Sequence, residues 1–293
     1  MIGIMFSGQG AQKAGMGKAF YDKYEFVKEI YAKASEICGF DMPKMCFEEN
    51  EDLHRTQYAQ PCIYTTNYAI YKVIEEKFKG DYFLGLSLGE YNAFGVSGAY
   101  SFEDGLRLVK KRGEIMEKAF DDDNYGMIAV LKCAYDDLKE HITNSGLEIY
   151  IANYNTHNQI VVSGLEKALE DFALYLKDFK IRTIKLNVKG AFHSPYLDKV
   201  AVYLAEEFDK IEINAVDKKV VSNYTAKVET KVKETLLNQL VSEVKFCESI
   251  EFLINEGVTT FVEVGTGKTL TNFVKKINKE VEVINVEELQ ING

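Results

Sequence analysis

Gly85-Leu86-Ser87-Leu88-Gly89 is the feature of this chain best suited to covalent chemistry. A serine flanked two positions away on each side by glycine fits a sharp strand-to-helix turn. Such a turn lifts the hydroxyl clear of the backbone, and the next N–H, that of Leu88, can help bind an oxyanion. The helix that follows adds positive potential at its N-terminus. A serine hydroxyl is a weak nucleophile until a base takes its proton. The chain has four histidines, so each can be weighed. His54 lies in a charged loop, His141 beside Glu140 near the end of an amphipathic helix, and His157 in the polar turn Asn155-Thr156-His157-Asn158. His193, in Gly190-Ala191-Phe192-His193-Ser194-Pro195, follows a strand, and strand ends are where the sites of α/β folds gather. It is the best base by context.

Arg112 stands out by periodicity. Phe102, Leu106, Val109, Met116 and Phe120 form one helical stripe, and Arg112 falls on it. A guanidinium on a buried face needs an anion, because an unpaired buried charge is costly. An internal ion pair or a snorkelling stem would satisfy it; so would a substrate carboxylate gripped in bidentate fashion. Gly8-Gln9-Gly10 directly follows the first strand, where glycines allow backbone to approach a ligand. Neither it nor Gly265-Thr266-Gly267-Lys268 has the spacing of a nucleotide-binding loop. The five cysteines are scattered, with no CxxC pair, which suits reduced thiols in a cytoplasmic protein and predicts neither disulfides nor a metal site.

These groups need a scaffold. The chain has 293 residues, 46% hydrophobic and 27% charged, enough for one large domain or a large domain with a smaller insert. The net charge of −10 argues against duplex binding. No apolar run approaches the about 18 residues that span a membrane. Met1 to Phe6 reads as a strand rather than a signal peptide. Helices are expected over 17–38, 62–78 with Pro61 in the first turn, 90–94 and 102–120 with Ser101 as cap. Tyr82-Phe83-Leu84 reads as a buried strand leading into the serine turn. Asp121 to Asn124 reads as a linker. Beyond it the order is strand (127–131), helix (136–142), strands (148–152 and 159–162), helix (167–176), strand (183–188). This βαββαβ order belongs to ferredoxin-like units. A strand at 220–223, helices at 231–244 and 249–256, a strand at 260–264 and a final helix complete the chain. The expected fold is α/β: a large α/β-hydrolase-like domain, residues 1–123 and 190–293, with an inserted small ferredoxin-like domain, residues 124–189.

In order along the chain, these segments resemble the malonyl-CoA:acyl carrier protein transacylase family of fatty-acid synthesis. Phe6 to Gln12 is similar to its GQGxQ turn, Gln57 to Pro61 to TQ…QPA, Gly85 to Glu90 to GHSLGE, and Arg112-Gly113 to its RG pair. Asn153-Tyr154-Asn155 with Gln159 to Gly164 resembles NYN…Q-V-V-x-G, Ala191 to Pro195 the AFHSP loop, and Glu263 to Leu270 EVGxGKxL. The resemblance implies Ser87 as nucleophile, His193 as base, the Gln9 and Leu88 amides as oxyanion hole, and Arg112 as clamp on the malonyl carboxylate. It places Gln60 and Asn155 in the substrate pocket. It implies a histidine oriented by a backbone carbonyl, mapped near Lys245. It also implies malonyl-CoA as substrate with no bound cofactor or metal, acyl carrier protein as partner, and a monomer that binds no nucleic acid or membrane. The carrier is acidic, so a local basic patch is needed; Lys110, Lys111, Lys275 and Lys276 are candidates. Leu86 departs from the usual histidine before the serine. Free-standing acyltransferases of polyketide synthesis resemble the same pattern. A GxSxG hydrolase, which would place an acid between serine and histidine, and a non-catalytic carrier-binding module are the competing classes.

Overall fold

A computed structural model describes residues 1–120 and 124–291. Among the described residues, ten strands form two sheets. The larger contains β1 (Ile2–Phe6), β2 (Tyr82–Gly85), β7 (Lys219–Val221), β8 (Val228–Glu229), β9 (Thr260–Val264) and β10 (Glu282–Asn285), in the order β10-β9-β1-β2-β7-β8. All neighbours are parallel except β7 and β8. Parallel strands covered by helices bury both faces, so they read as continuous apolar runs. In β1 and β2, Ile4, Phe6 and Phe83 pack into one core, while Met5, Tyr82 and Leu84 pack into another on the opposite face.

The smaller sheet contains β3 (Tyr125–Leu131), β4 (Ile149–Thr156), β5 (Gln159–Leu165) and β6 (Arg182–Lys185), antiparallel in the order β4-β5-β3-β6. Helices α7 (Tyr135–Ser145) and α8 (Glu166–Asp178) cover one side of it, over a core that includes Val130, Leu138, Val162 and Phe172. The linker reading of the acidic run concerns Asp121, Asp122 and Asp123, which lie outside the described residues.

The other helices are α1 (Lys18–Lys23), α2 (Glu25–Cys38), α3 (Met42–Phe47), α4 (Thr56–Ile74), α5 (Gly89–Val96), α6 (Phe102–Lys118), α9 (Asp198–Phe208), α10 (Val232–Val241), α11 (Phe246–Asn255), α12 (Thr269–Ile277) and α13 (Val286–Ile291). Several differ from the sequence reading. The helix expected over 17–38 is split at Tyr24, whose backbone is extended (φ −122°, ψ 121°). α4 begins six residues before the expected start, so Pro61 is the sixth helical residue, not one of the first turn. The start of α4 is anchored by Glu117, whose carboxylate accepts from Gln57 N at 2.9 Å and Gln57 Nε2 at 3.0 Å. The sequence reading assigns no helix to 198–208, yet α9 forms there. Pro195 opens a single 3₁₀ turn before it, and Val200, Leu204 and Phe208 recur at four-residue spacing on the buried face.

α4 and α6 pack closely because α6 carries glycine at the crossing. A Cβ on Gly105 would lie 2.0 Å from the Tyr64 hydroxyl, and one on Gly113 2.9 Å from the Thr56 carbonyl. That contact fixes the height of Arg112 on α6. Among the described residues, no helix is long and apolar enough to cross a membrane.

Candidate active site

The loops after β1, β2 and β7 converge at the carboxyl edge of the parallel sheet, because β1 pairs with β2 and β2 with β7. β2 ends at Gly85, and the chain reverses into α5 within four residues. The glycines flanking Ser87 have steric causes. A Cβ on Gly85 would stand 1.9 Å from the Gly89 carbonyl carbon, and one on Gly89 2.2 Å from the Phe6 carbonyl oxygen. A Cβ on Gly8 would lie 2.2 Å from the Leu86 carbonyl oxygen. The loop after β1 therefore packs directly on the serine turn, bringing Gln9 beside it. Ser87 itself is left-handed (φ 52°), a strained conformation for a residue with a Cβ.

That strain is held by a polar network. The Ser87 N–H donates to Asn223 Oδ1 at 2.7 Å, and Asn223 Nδ2 donates to the Gly85 carbonyl at 2.7 Å. Gln239 Nε2 donates to the Ser87 carbonyl at 2.7 Å and to Glu90 Oε2 at 3.0 Å. Asn223 N also donates to Glu90 Oε2, at 3.2 Å. Asn223, Gln239 and Glu90 are each fully buried. Burial pushes the Glu90 carboxyl up to about 7, against the Gln239 and Asn223 bonds that pull it down.

Ser87 Oγ lies 2.7 Å from His193 Nε2. His193 is also left-handed (φ 57°) and 4% exposed. Its Nδ1 lies 2.9 Å from the Gln239 carbonyl. A carbonyl only accepts, so Nδ1 carries the proton and Nε2 presents a lone pair to the serine. The partner is a carbonyl rather than a carboxylate, and it belongs to Gln239, not to Lys245. The Lys245 carbonyl is taken by Ser249 N and Ser249 Oγ inside α11. Gln239 thus holds the Ser87 backbone through its side chain and the His193 imidazole through its backbone.

Arg112 is 1% exposed, and its Nη2 lies 3.4 Å from Ser87 Oγ. Its guanidinium lies 5.3 Å from the Tyr91 ring centroid. Among the described residues no carboxylate lies within ion-pair distance of it, and its Nε has no hydrogen-bond partner. The internal-ion-pair reading therefore fails. Burial lowers the arginine pKa, with Tyr91 opposing.

A cavity of about 210 Å³ opens over these groups. Gln9, Ser87, Arg112, Asn155 and His193 line it, and Leu86 supplies part of its apolar wall. Asn155 Oδ1 is buried there without a partner. Gln60 stands behind this wall: its Nε2 donates to Gln9 Oε1 at 3.2 Å, and Gln9 Nε2 donates to Thr56 Oγ1 at 3.1 Å. The Leu88 side chain is buried at the start of α5. The candidate basic residues Lys110 and Lys111 both approach Glu114, at 3.9 and 3.5 Å.

The sequence reading missed Asn223, Gln239 and Glu90. A polar residue on an apolar helical stripe was the available signal for Gln239, which shares a face with Val232, Thr235 and Leu236. Asn223 offered none, since its role depends on β7 lying beside β2.

The base makes a pH prediction. Burial first, then the Arg112 cation, pushes the His193 imidazolium down to about 4 from 6.5. The imidazole thus stays neutral until pH falls through about 4. Glu90 keeps an acceptor on Oε2 in either protonation state, so its own titration leaves the network in place. kcat/KM, which reports the free enzyme, is expected to change less than about twofold between pH 7.5 and 5.5. An unshifted histidine would lose roughly tenfold over that range. A pH–rate profile checks this.

Residues 4–291 match the acyl transferase domain family. The malonyl CoA-acyl carrier protein transacylase of Bacillus subtilis is 38% identical over 98% of this chain and 93% of its own. A polyketide biosynthesis malonyl CoA-acyl carrier protein transacylase of the same organism is 37% identical over 97% of this chain and 99% of its own. The crystal structure of a malonyl CoA-acyl carrier protein transacylase from Clostridium perfringens has a TM-score of 0.94 at 41% identity, covering 99% of this chain and 96% of that one.

Proposed function

The chain belongs to the acyl transferase domain family, and from that premise we propose that Ser87 carries a malonyl group from malonyl-CoA to the phosphopantetheine thiol of an acyl carrier protein. The observation that carries the substrate is Arg112. It is a buried guanidinium with no carboxylate at ion-pair distance among the described residues, and its Nη2 lies 3.4 Å from the Ser87 oxygen. A malonyl thioester bound for attack has a free carboxylate near its reacting carbonyl, and that anion completes the site.

In the first half-reaction Ser87 Oγ attacks the thioester carbonyl while His193 Nε2 takes its proton. The oxyanion is received by the Gln9 and Leu88 amides; one such donor is worth ~10²–10³ in rate. The intermediate collapses, the C–S bond breaks, and His193 returns the proton to the departing CoA thiol. In the second half-reaction the carrier thiol gives its proton to His193 and attacks the malonyl ester, and Ser87 regains its hydroxyl. The Gln239 carbonyl keeps Nδ1 protonated throughout, so a dyad suffices. This chemistry draws on the chain's own groups, with no cofactor. Asn155, buried in the cavity wall with a free Oδ1, is the second polar contact for the acyl group.

The small sheet and its helices have the element order and strand order of a ferredoxin-like unit. We read residues 124–189 as that inserted domain, in a large domain formed by 1–123 and 190–293, and the chain as a cytoplasmic monomer. Fatty-acid synthesis is the pathway we assign. The 37% identity to a polyketide-pathway relative supports a second reading that differs only in the carrier protein.

Initial rates measured against malonyl-CoA at several fixed carrier concentrations test the scheme. Parallel double-reciprocal lines are expected, as for ping-pong transfer. Intersecting lines would mean direct transfer without an acyl-serine.

A further inference from the structure

Away from the active site, three side chains of different chemistry meet where the small sheet touches α11. His157 sits in the turn between β4 and β5. Cys247 and Glu251 are four residues apart on α11, and so share one face of it. His157 Nε2 lies 3.0 Å from Glu251 Oε1, and Cys247 Sγ lies 3.9 Å from the same ring. All three ligand atoms fall within 4.8 Å of one another. We propose that His157 Nε2, Cys247 Sγ and Glu251 Oε1 form a binding site for a divalent cation of the zinc class, open at a fourth position.

The distances fit such an ion. Bonds of ~2.3 Å to sulfur and ~2.0–2.1 Å to nitrogen and oxygen in a tetrahedron hold ligand atoms about 3.3–3.6 Å apart. His157 Nε2 stands 3.0 Å from Glu251 Oε1 and 3.9 Å from Cys247 Sγ, one separation on either side of that range. The ligand set of one thiolate, one imidazole and one carboxylate selects zinc over the hard cations, which take oxygen alone. A second observation supports the site: Tyr154 Oη lies 3.0 Å from His157 Nδ1. Metal-binding histidines commonly donate their other ring N–H to an oxygen, which fixes the tautomer with the metal-facing nitrogen free. The scaffold is also preset. Tyr154 N donates to the Val244 carbonyl at 2.9 Å and Val244 N to the Ala152 carbonyl at 2.8 Å, tying β4 to the entry of α11.

Cys247 is buried beneath the imidazole, its Sγ 3.9 Å from each ring nitrogen. Binding breaks the S–H bond as the S–metal bond forms, and one proton leaves to solvent. No short-range motif marks this site, because the ligands come from a hairpin turn and a distant helix rather than from a paired-cysteine motif. The bound ion would clamp the β4–β5 hairpin, whose Asn153 and Asn155 line the active-site cavity, to α11.

The test uses the full chain stripped with a chelator and titrated with Co²⁺, then with Zn²⁺ against a chromophoric competitor. One Co²⁺ per chain is expected, with a near-ultraviolet thiolate-to-cobalt band, displaced by Zn²⁺. Cys247→Ser is expected to remove the band and weaken Zn²⁺ by at least about tenfold. His157→Gln and Glu251→Gln, at half-exposed positions, are expected to weaken it similarly and carry the test if Cys247→Ser does not fold. Cys133→Ser, a buried cysteine elsewhere, serves as control and is expected to leave the titration unchanged. No saturable binding, binding without a thiolate band, or binding indifferent to the three ligand substitutions would each overturn the site, leaving His157 and Glu251 as a simple hydrogen-bonded pair.

Discussion

Intact-protein mass spectrometry after mixing with malonyl-CoA is expected to show one malonyl adduct, and Ser87→Ala is expected to abolish it and lower turnover by ~10⁴-fold or more. The size follows from the geometry. Ser87 presents its oxygen to the His193 lone pair, at 2.7 Å, and its carbonyl and N–H are both tied to buried amides. Alanine meets the same left-handed φ at no greater steric cost than serine, and both backbone hydrogen bonds survive. The variant should therefore fold and bind substrate while losing the covalent step. Residual activity comes from the oxyanion donors and binding alone, as in other serine acyl-transfer sites. An adduct that persists in Ser87→Ala would place the nucleophile elsewhere and end the scheme.

Arg112→Ala is the second large effect. Losing one partner of a buried, hydrogen-bonded charge pair costs about 2–5 kcal/mol. kcat/KM for malonyl-CoA is thus expected to fall roughly 30- to 5000-fold. Acetyl-CoA has no carboxylate to lose, so its rate relative to malonyl-CoA is expected to rise. Stability separates this from a structural role. In the free protein the Arg112 cation is buried with no carboxylate at ion-pair distance among the described residues. Deleting a buried charge relieves desolvation, which offsets the lost packing on Tyr91. The thermal midpoint is expected to change little while malonyl transfer collapses. A large drop in the midpoint, with malonyl preference over acetyl unchanged, would make Arg112 a structural residue. The His193 pH profile bears on the same group, because a carboxylate bound to Arg112 removes one of the two influences that depress the imidazole.

Both positions stand out from residues alone, for different reasons. Ser87 is marked by local sterics: Gly85 and Gly89 meet backbone at 1.9 and 2.2 Å, so the turn requires them whatever else the protein does. Arg112 is marked by period, as a charge on a stripe otherwise destined for the core. Pro61 and Tyr24 show the weakness of the same logic at element ends. There the sequence pattern is compatible with several boundaries, and packing of α4 on α6 decides among them.

Local sequence determined the parts whose causes lie within a few residues. These are the apolar strands β1, β2 and β9, the serine turn, the Ser101 cap, whose Oγ accepts from Asp104 N at 3.0 Å, and the amphipathic stripe of α6. The family pattern added the roles of the groups carried on them. Tertiary structure decided which distant groups complete the site. The His193 acceptor is the Gln239 carbonyl rather than Lys245, and Asn223 braces the serine turn, only because β7 pairs beside β2 and α10 passes behind the imidazole. A backbone carbonyl has the same chemistry at every residue, and an asparagine at a strand end looks like any other. Their function is set by long-range register, and no short-range spacing encodes it.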